Sequence, residues 1–301
     1  MATLTQLTWQ AGVSPSALHA AHLVILEKKL VDPALLAALA QPATSFQAEL
    51  AHAGIDPPTF WRHLIPLAAQ YENNRELALA TLIRLRGRSP STEALALSLA
   101  GLLSDIETAF HQVLPKLREE LPLRIGPLRE QWESRGPGML RTIGQLTDEA
   151  LIPEGATIVV LHPAAGGAGE AYLPHNQVHI EGLLANPQPE LPEIVRLAWL
   201  LSQVQLELPR FSETVEPIRL IKLAPLAMLP VALAAAEEVE LVRSAASLLS
   251  TAITWWQLAP HTEAETSLLL AQWWGEYQDS RPPWPIALAA LDQMLPANYS
   301  P

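Results

Sequence analysis

The residues best suited to chemistry crowd into one short stretch, 155–208, of a 301-residue chain. It holds His162, His175, His179 and Glu181, imidazoles and a carboxylate of the kind that serve as general acids and bases or as metal ligands. Read as a strand, Gln177-Val-His-Ile-Glu181 turns Val178 and Ile180 to one face and His175, Gln177, His179 and Glu181 to the other. On such a strand His175 and His179 stand roughly 13 Å apart, too far to share one metal ion, although His162 on the neighbouring run could join either of them. An exposed polar strand face accounts for the same residues without any metal. His19 and His22 lie three apart on a helix, a spacing that can share a metal, but no Asp, Glu or further His close by completes the set, and surface or capping roles also explain them. Gly166-Gly-Ala-Gly169 is followed by no Lys-Ser or Lys-Thr and joins two strands without opening a helix, so it meets neither the phosphate-loop nor the dinucleotide pattern. No serine is framed as G-x-S-x-G. Glu237-Glu238-Val-Glu240 could supply a metal ligand or an acid and base pair, but acids at a helix start are also what the dipole favours.

Two β-like runs, 156–161 and 177–181, flank the Gly-rich turn and predict a β-hairpin over 156–182 that leads into a helix over 192–208. That helix is apolar on nearly every side, which predicts a central, buried element. Ser14-Pro15, Asp32-Pro33, Asp56-Pro57 and Ser89-Pro90 each put a capping residue before a proline, the arrangement that opens a helix, and apolar spacing near 3.6 follows each. Residues 1–122 therefore read as an all-α unit, and the prolines of Leu121-Pro-Leu-Arg-Ile-Gly-Pro127 mark a hinge to a second, α+β unit over 123–301. The Arg84-Leu-Arg86-Gly-Arg88 cluster sits at a helix end, where cations complement the dipole. The expected fold is mainly α with a small β-sheet (α+β), with helix in more than half of the residues and the sheet confined to about 155–182.

The order of helix, strand, edge strand Asn176–Glu181 and buried helix over 139–208 resembles the core of a zincin-type metalloprotease, in which an edge strand binds peptide and the helix carries H-E-x-x-H. In that register Trp199 and Gln203 stand where the resemblance implies the two histidine ligands, and Leu200 where it implies the general-base glutamate. Without two imidazoles one turn apart there is no zinc clamp, and without the glutamate nothing takes the proton of the water. The resemblance thus implies a protease scaffold without its chemistry.

Composition bounds the remaining readings. Nineteen basic against 31 acidic residues give a formal charge of −12, which disfavours nucleic acid and anionic membranes as partners. The chain has no cysteine, which excludes disulfides and thiolate sites and suits a reducing compartment. No basic segment followed by a long apolar run opens the chain, so no secretory leader is expected. The apolar run 223–236 is shorter than the roughly 20 residues a membrane span needs and contains Pro225 and Pro230, which predicts a core helix. Trp255-Trp256 and Trp273-Trp274 each place one ring toward the core and its neighbour toward the rim. With Trp284 they mark a candidate partner-binding surface, although interhelical packing explains them too. We therefore expect a non-catalytic cytoplasmic interaction or scaffolding protein with a protein partner and with no metal or cofactor, and a homo-oligomer is compatible with it. The alternative is a hydrolase with a polar or metal site at the hairpin, built from His162, His175, His179 and Glu181.

Overall fold

The computed structural model describes residues 6–258 and 263–296; residues 1–5, read above for a leader, lie outside them. The protein is 67% helical with a small four-stranded mixed sheet, as the spacing predicts. Strand β1 (Gln6–Ala11) precedes α1 (Val13–Ile25), α2 (Pro33–His52), α3 (Pro57–Leu67), α4 (Asn74–Arg86), α5 (Pro90–Val113), the single turn α6 (Leu117–Glu120) and α7 (Ile125–Leu146). The strands β2 (Gly155–Leu161), β3 (Gly169–Tyr172) and β4 (Gln177–Glu181) follow. The rest is α8 (Glu193–Leu201), the turn α9 (Pro209–Ser212), α10 (Pro217–Glu238), α11 (Ala245–Trp255), α12 (Glu263–Ser280) and α13 (Trp284–Met294).

Capping chemistry sets the early helices. Asp32 accepts from the Ala34 N–H, Asp56 from Thr59 and Ser89 from Thr92, each ahead of a proline that loses no needed N–H. Asn73 caps α4 by accepting from Arg75 and Glu76, a start that no proline marks. Ser14 departs from the pattern, because α1 already begins at Val13 and the Ser14 hydroxyl donates to Glu107 instead.

The sheet differs from a hairpin in both extent and order. Its order is β1-β2-β4-β3, with β1, β2 and β4 parallel and β3 antiparallel at the edge. The segment expected to be all-α therefore opens with a strand, and Gln6–Ala11 pairs with Gly155–Val160 across the whole helical run. The two runs read as hairpin arms are parallel neighbours, Thr157 opposite Gln177 and Leu161 opposite Glu181, and β3 is the return that lets them run the same way. The segment 177–181 is thus an inner strand, and the edges of the sheet are β1 and β3. Val159 and Leu161 face the start of α1, where a Cβ on Gly12 would overlap the Val159 side chain. On the opposite face a Cβ on Gly169 would lie 2.8 Å from Leu200 of α8. Helices thus cover both faces: α1 on one, and α7 and α8 on the other.

Helix α8 is the central element expected, with every residue from Ile194 to Leu201 buried. Trp199 stacks on Trp256 at 4.7 Å and donates to the Pro225 carbonyl at 2.8 Å. The helix stops at Leu201 and not at 208. Ser202 Oγ and Gln203 Nε2 both donate to the Trp199 carbonyl, drawing the chain into the tight turns that follow. Helix α10 runs 22 residues and is long and apolar enough to cross a membrane, against the shorter run expected, and 67% of that window is buried inside the protein. It packs on α7, α8, α11, α12 and α13.

Leu201 has no exposed surface, so Leu201→Asp places an unpaired charge in the core at a cost of several kcal/mol, comparable with a whole stability of roughly 5–15 kcal/mol. The variant should lose its cooperative thermal transition by circular dichroism. A cooperative transition at the parent midpoint would put α8 at the surface.

Candidate functional site

The strand alternation divides the polar residues as the sequence predicts, but the face they share is covered. Gln177, His179 and Glu181 are 3%, 1% and 0% exposed, so this is not the exposed polar face that would explain them. Helix α1 lies over it, and the resulting cluster joins residues 162 positions apart in the sequence.

Glu181 is the centre of the inner half. Oε1 accepts from His19 Nε2 at 3.0 Å and from the Ala165 N–H at 2.7 Å. Oε2 accepts from the N–H groups of Gly167 at 2.7 Å and Ala168 at 3.0 Å. Burial pushes this carboxyl up, and the hydrogen bond and charge of His19, with the amides of Ala165 and Gly167, more than reverse that, so its pKa lies below the ordinary glutamate value. The Gly-rich turn is therefore an anion-cradling nest of backbone amides, filled from within by the protein's own carboxylate. Gly166 and Gly167 adopt positive φ (85° and 144°), which glycine reaches without strain. Buried Arg196 of α8 grips the same corner from the other side. It donates to the carbonyls of Ala168 at 2.9 Å and Glu181 at 2.7 Å and pairs with Glu193.

The outer half lies along the sheet edge. His179 Nε2 donates to Gln177 Oε1 at 3.2 Å, its ring meets Tyr172 edge-on at 4.7 Å, and its Nδ1 is a buried acceptor without a partner. Burial, then the positive potential of His19 and His175, lowers its pKa to about 3, so the ring is neutral. Tyr172 donates to Glu170 at 3.0 Å. Glu170 still meets solvent, yet the protein crowded around it raises its pKa.

His175 does not share the strand face. It ends a 3-10 turn, followed by Asn176 in the left-handed region at φ 48°, and its Nε2 lies 3.2 Å from Nδ1 of His63 on α3. His162 follows β2, packs edge-on against Phe110 at 6.1 Å and keeps Nδ1 buried without a partner. The four predicted residues thus serve separate partners: Glu181 binds His19 and the turn, His179 binds Gln177, His175 binds His63, and His162 meets Phe110. His19 and His22 diverge as well, since His22 stacks on Trp61 at 5.2 Å. Among the described residues no group of three or more His, Cys, Asp or Glu could hold a metal ion.

Trp199, Leu200 and Gln203 are buried on the sheet face opposite this cluster, and the Gln203 amide is spent on the Trp199 carbonyl. The tryptophans expected to form a partner surface are largely interior. Trp256, Trp273 and Trp284 are buried, Trp274 is half-buried against Tyr277, and half-buried Trp255 lies over Gly167. A groove of about 650 Å³ opens elsewhere, lined by Trp132, Leu140, Arg141, Ile152 and Gln205, and none of the residues expected to do chemistry lines it.

The buried neutral histidines make stability pH-dependent with a definite sign. The His179 pKa is about 3 in the folded protein against 6.5 for the free ring, so the unfolded chain takes up the proton first as pH falls. Its contribution is fully present above 6.5 and is lost as pH drops toward 3, by about 2 kcal/mol at about pH 5. His22 (about 3) and His175 (about 4) act in the same direction, while the raised carboxyls of Glu170 and Glu193 oppose them. His179→Gln keeps a donor for Gln177 but cannot titrate. Urea unfolding should show a shallower loss of stability between about pH 7 and about pH 5 in that variant, and an unchanged slope would contradict the assignment. No protein-family model, no curated protein and no solved structure matches this chain.

Proposed function

We propose that this protein is a non-catalytic protein-binding module that takes up an extended segment of a partner along the free edge of β3. The observation that carries this reading is the position of β3 at the end of the sheet, with no described strand on its outer side. The Glu181 N–H donates to the Ala168 carbonyl, so alternation turns the backbone groups of Glu170 and Tyr172 toward β4 and those of Gly169 and Ala171 outward. A partner strand pairing there would gain main-chain hydrogen bonds, and its alternate side chains would meet Glu170 and Tyr172 on one face. A zincin-like arrangement stripped of its chemistry fits this reading, because Trp199, Leu200 and Gln203 serve packing and a local turn. The hydrolase alternative is supported less well: the Glu181 oxygens already accept four hydrogen bonds, and His162, His175 and His179 each turn to a different neighbour.

Selection of displayed random peptides on the full chain tests the proposal. Binders should adopt an extended form and slow hydrogen exchange at Gly169 and Ala171. Ala171→Pro removes only an outward N–H, a change an edge strand tolerates, and should weaken binding at least about tenfold. Selected peptides that bind Ala171→Pro as tightly as the parent, or a selection that yields none, would contradict the proposal.

A further inference from the structure

A hollow of about 650 Å³ is lined by α7, by the segment that links α7 to β2 and by the turns after α8. That volume falls within the roughly 300–1,000 Å³ of small-ligand sites. Its apolar side is built by Trp132 and Leu140 of α7, both buried, and by Ile152. The Trp132 indole lies against α7 at Gly136, where a Cβ would come within 2.3 Å of the ring, so the glycine is what lets the ring settle on the helix. Ile152 in turn approaches Gly144, where a Cβ would lie 3.2 Å from its side chain. Close packing therefore sets the apolar side of the hollow.

Charged groups of both signs line the same hollow. Arg141 comes from α7, Glu149 from the 3-10 turn Glu149–Leu151, and Glu154 immediately precedes β2. The Gln205 amide, from the turns after α8, joins them. Among the described residues the Arg141 guanidinium and the two carboxylates make no ion pair and no side-chain hydrogen bond, either with one another or with any other group. Asp148, next to Glu149, does find a partner and binds Arg210 at 2.9 Å. An exposed charge needs no partner, and singly these would signify nothing. Together they bring both signs, uncommitted, to one apolar hollow of ligand size.

We propose that this hollow binds a small zwitterion with an apolar body, the chemistry of an amino acid or a dipeptide. The ligand carboxylate meets Arg141, whose guanidinium fork suits that group, its ammonium meets Glu149 and Glu154, and its apolar part covers Trp132, Leu140 and Ile152. Charge selects this class over others. A ligand with only negative groups would face two carboxylates in a chain of net charge −12, and one with only positive groups would leave Arg141 unmatched. A molecule that carries both satisfies both. No residue of β3 lines the hollow, so the inference goes beyond the edge-strand reading and does not depend on it.

Calorimetric titration of the full chain with leucyl-leucine and with free leucine tests this, each also used with its amine acetylated or its carboxylate amidated. Saturable binding of at least one free zwitterion is expected, and blocking either end should weaken it at least about tenfold, since each block removes a charge-assisted contact. Tighter leucyl-leucine binding would identify a dipeptide-sized ligand, and tighter leucine binding an amino acid. Arg141→Gln should erase the preference for the free form over the amide and keep the preference over the acetylated form. The double variant Glu149→Gln with Glu154→Gln should do the reverse. None of these side chains makes an ion pair or hydrogen bond among the described residues, so both variants should keep the parent melting temperature. The proposal is overturned if neither free zwitterion binds saturably, if the blocked forms bind as tightly as the free ones, or if the folded variants keep the preferences of the parent.

Discussion

A carboxylate with no solvent contact holds this fold together at one corner. Glu181 stays ionised in the interior because three backbone amides and the His19 ring supply the hydrogen bonds that water would otherwise give. Those donors belong to α1 and to the loop between β2 and β3, and Arg196 brings α8 to the same strand end through the Glu181 carbonyl. Removing one partner of such a buried pair costs about 3–5 kcal/mol, a large share of a stability of roughly 5–15 kcal/mol. The same interaction fixes the register of β4. A slip by one residue would carry Glu181 to the apolar face and leave the amide nest empty.

The sheet also separates two kinds of surface. On the α8 side Val178, Ile180, Leu200 and Trp199 form an apolar core. On the α1 side polar groups are numerous but committed to one another. Among the described residues, no strand pairs with the outward backbone positions of β3. An open strand edge suits recognition of a partner more than bond cleavage, and on that contrast the functional reading rests.

Helices were legible where the chain carries local signals: the capped prolines at Asp32, Asp56 and Ser89 predict three starts, and the apolar run of α8 predicts its burial. Strand order was not local. β1 shows only Leu7, Trp9 and Ala11 alternating over six residues, and its partner lies beyond seven helices. The continuous apolar run Ile158-Val-Val-Leu161 carries the mark of a strand buried on both faces, which points to parallel neighbours and not to a hairpin arm. Alternation sorted Gln177, His179 and Glu181 correctly, but whether their face meets water depends on α1, and His19 reaches Glu181 across 162 residues. The tryptophan pairs show the same limit, because a rim position on one helix becomes interior once another helix covers it.

Carbon-13 NMR titration of the Glu181 carboxyl, with the amide signals of Ala165, Gly167 and Ala168 followed alongside, tests the central claim most directly. The account predicts a carboxyl that remains ionised below the ordinary glutamate value of about 4.3, with the three amides shifted as hydrogen-bonded donors and exchanging slowly. A Glu181 that titrates at or above that value, or amides that exchange as freely as an open loop, would contradict it.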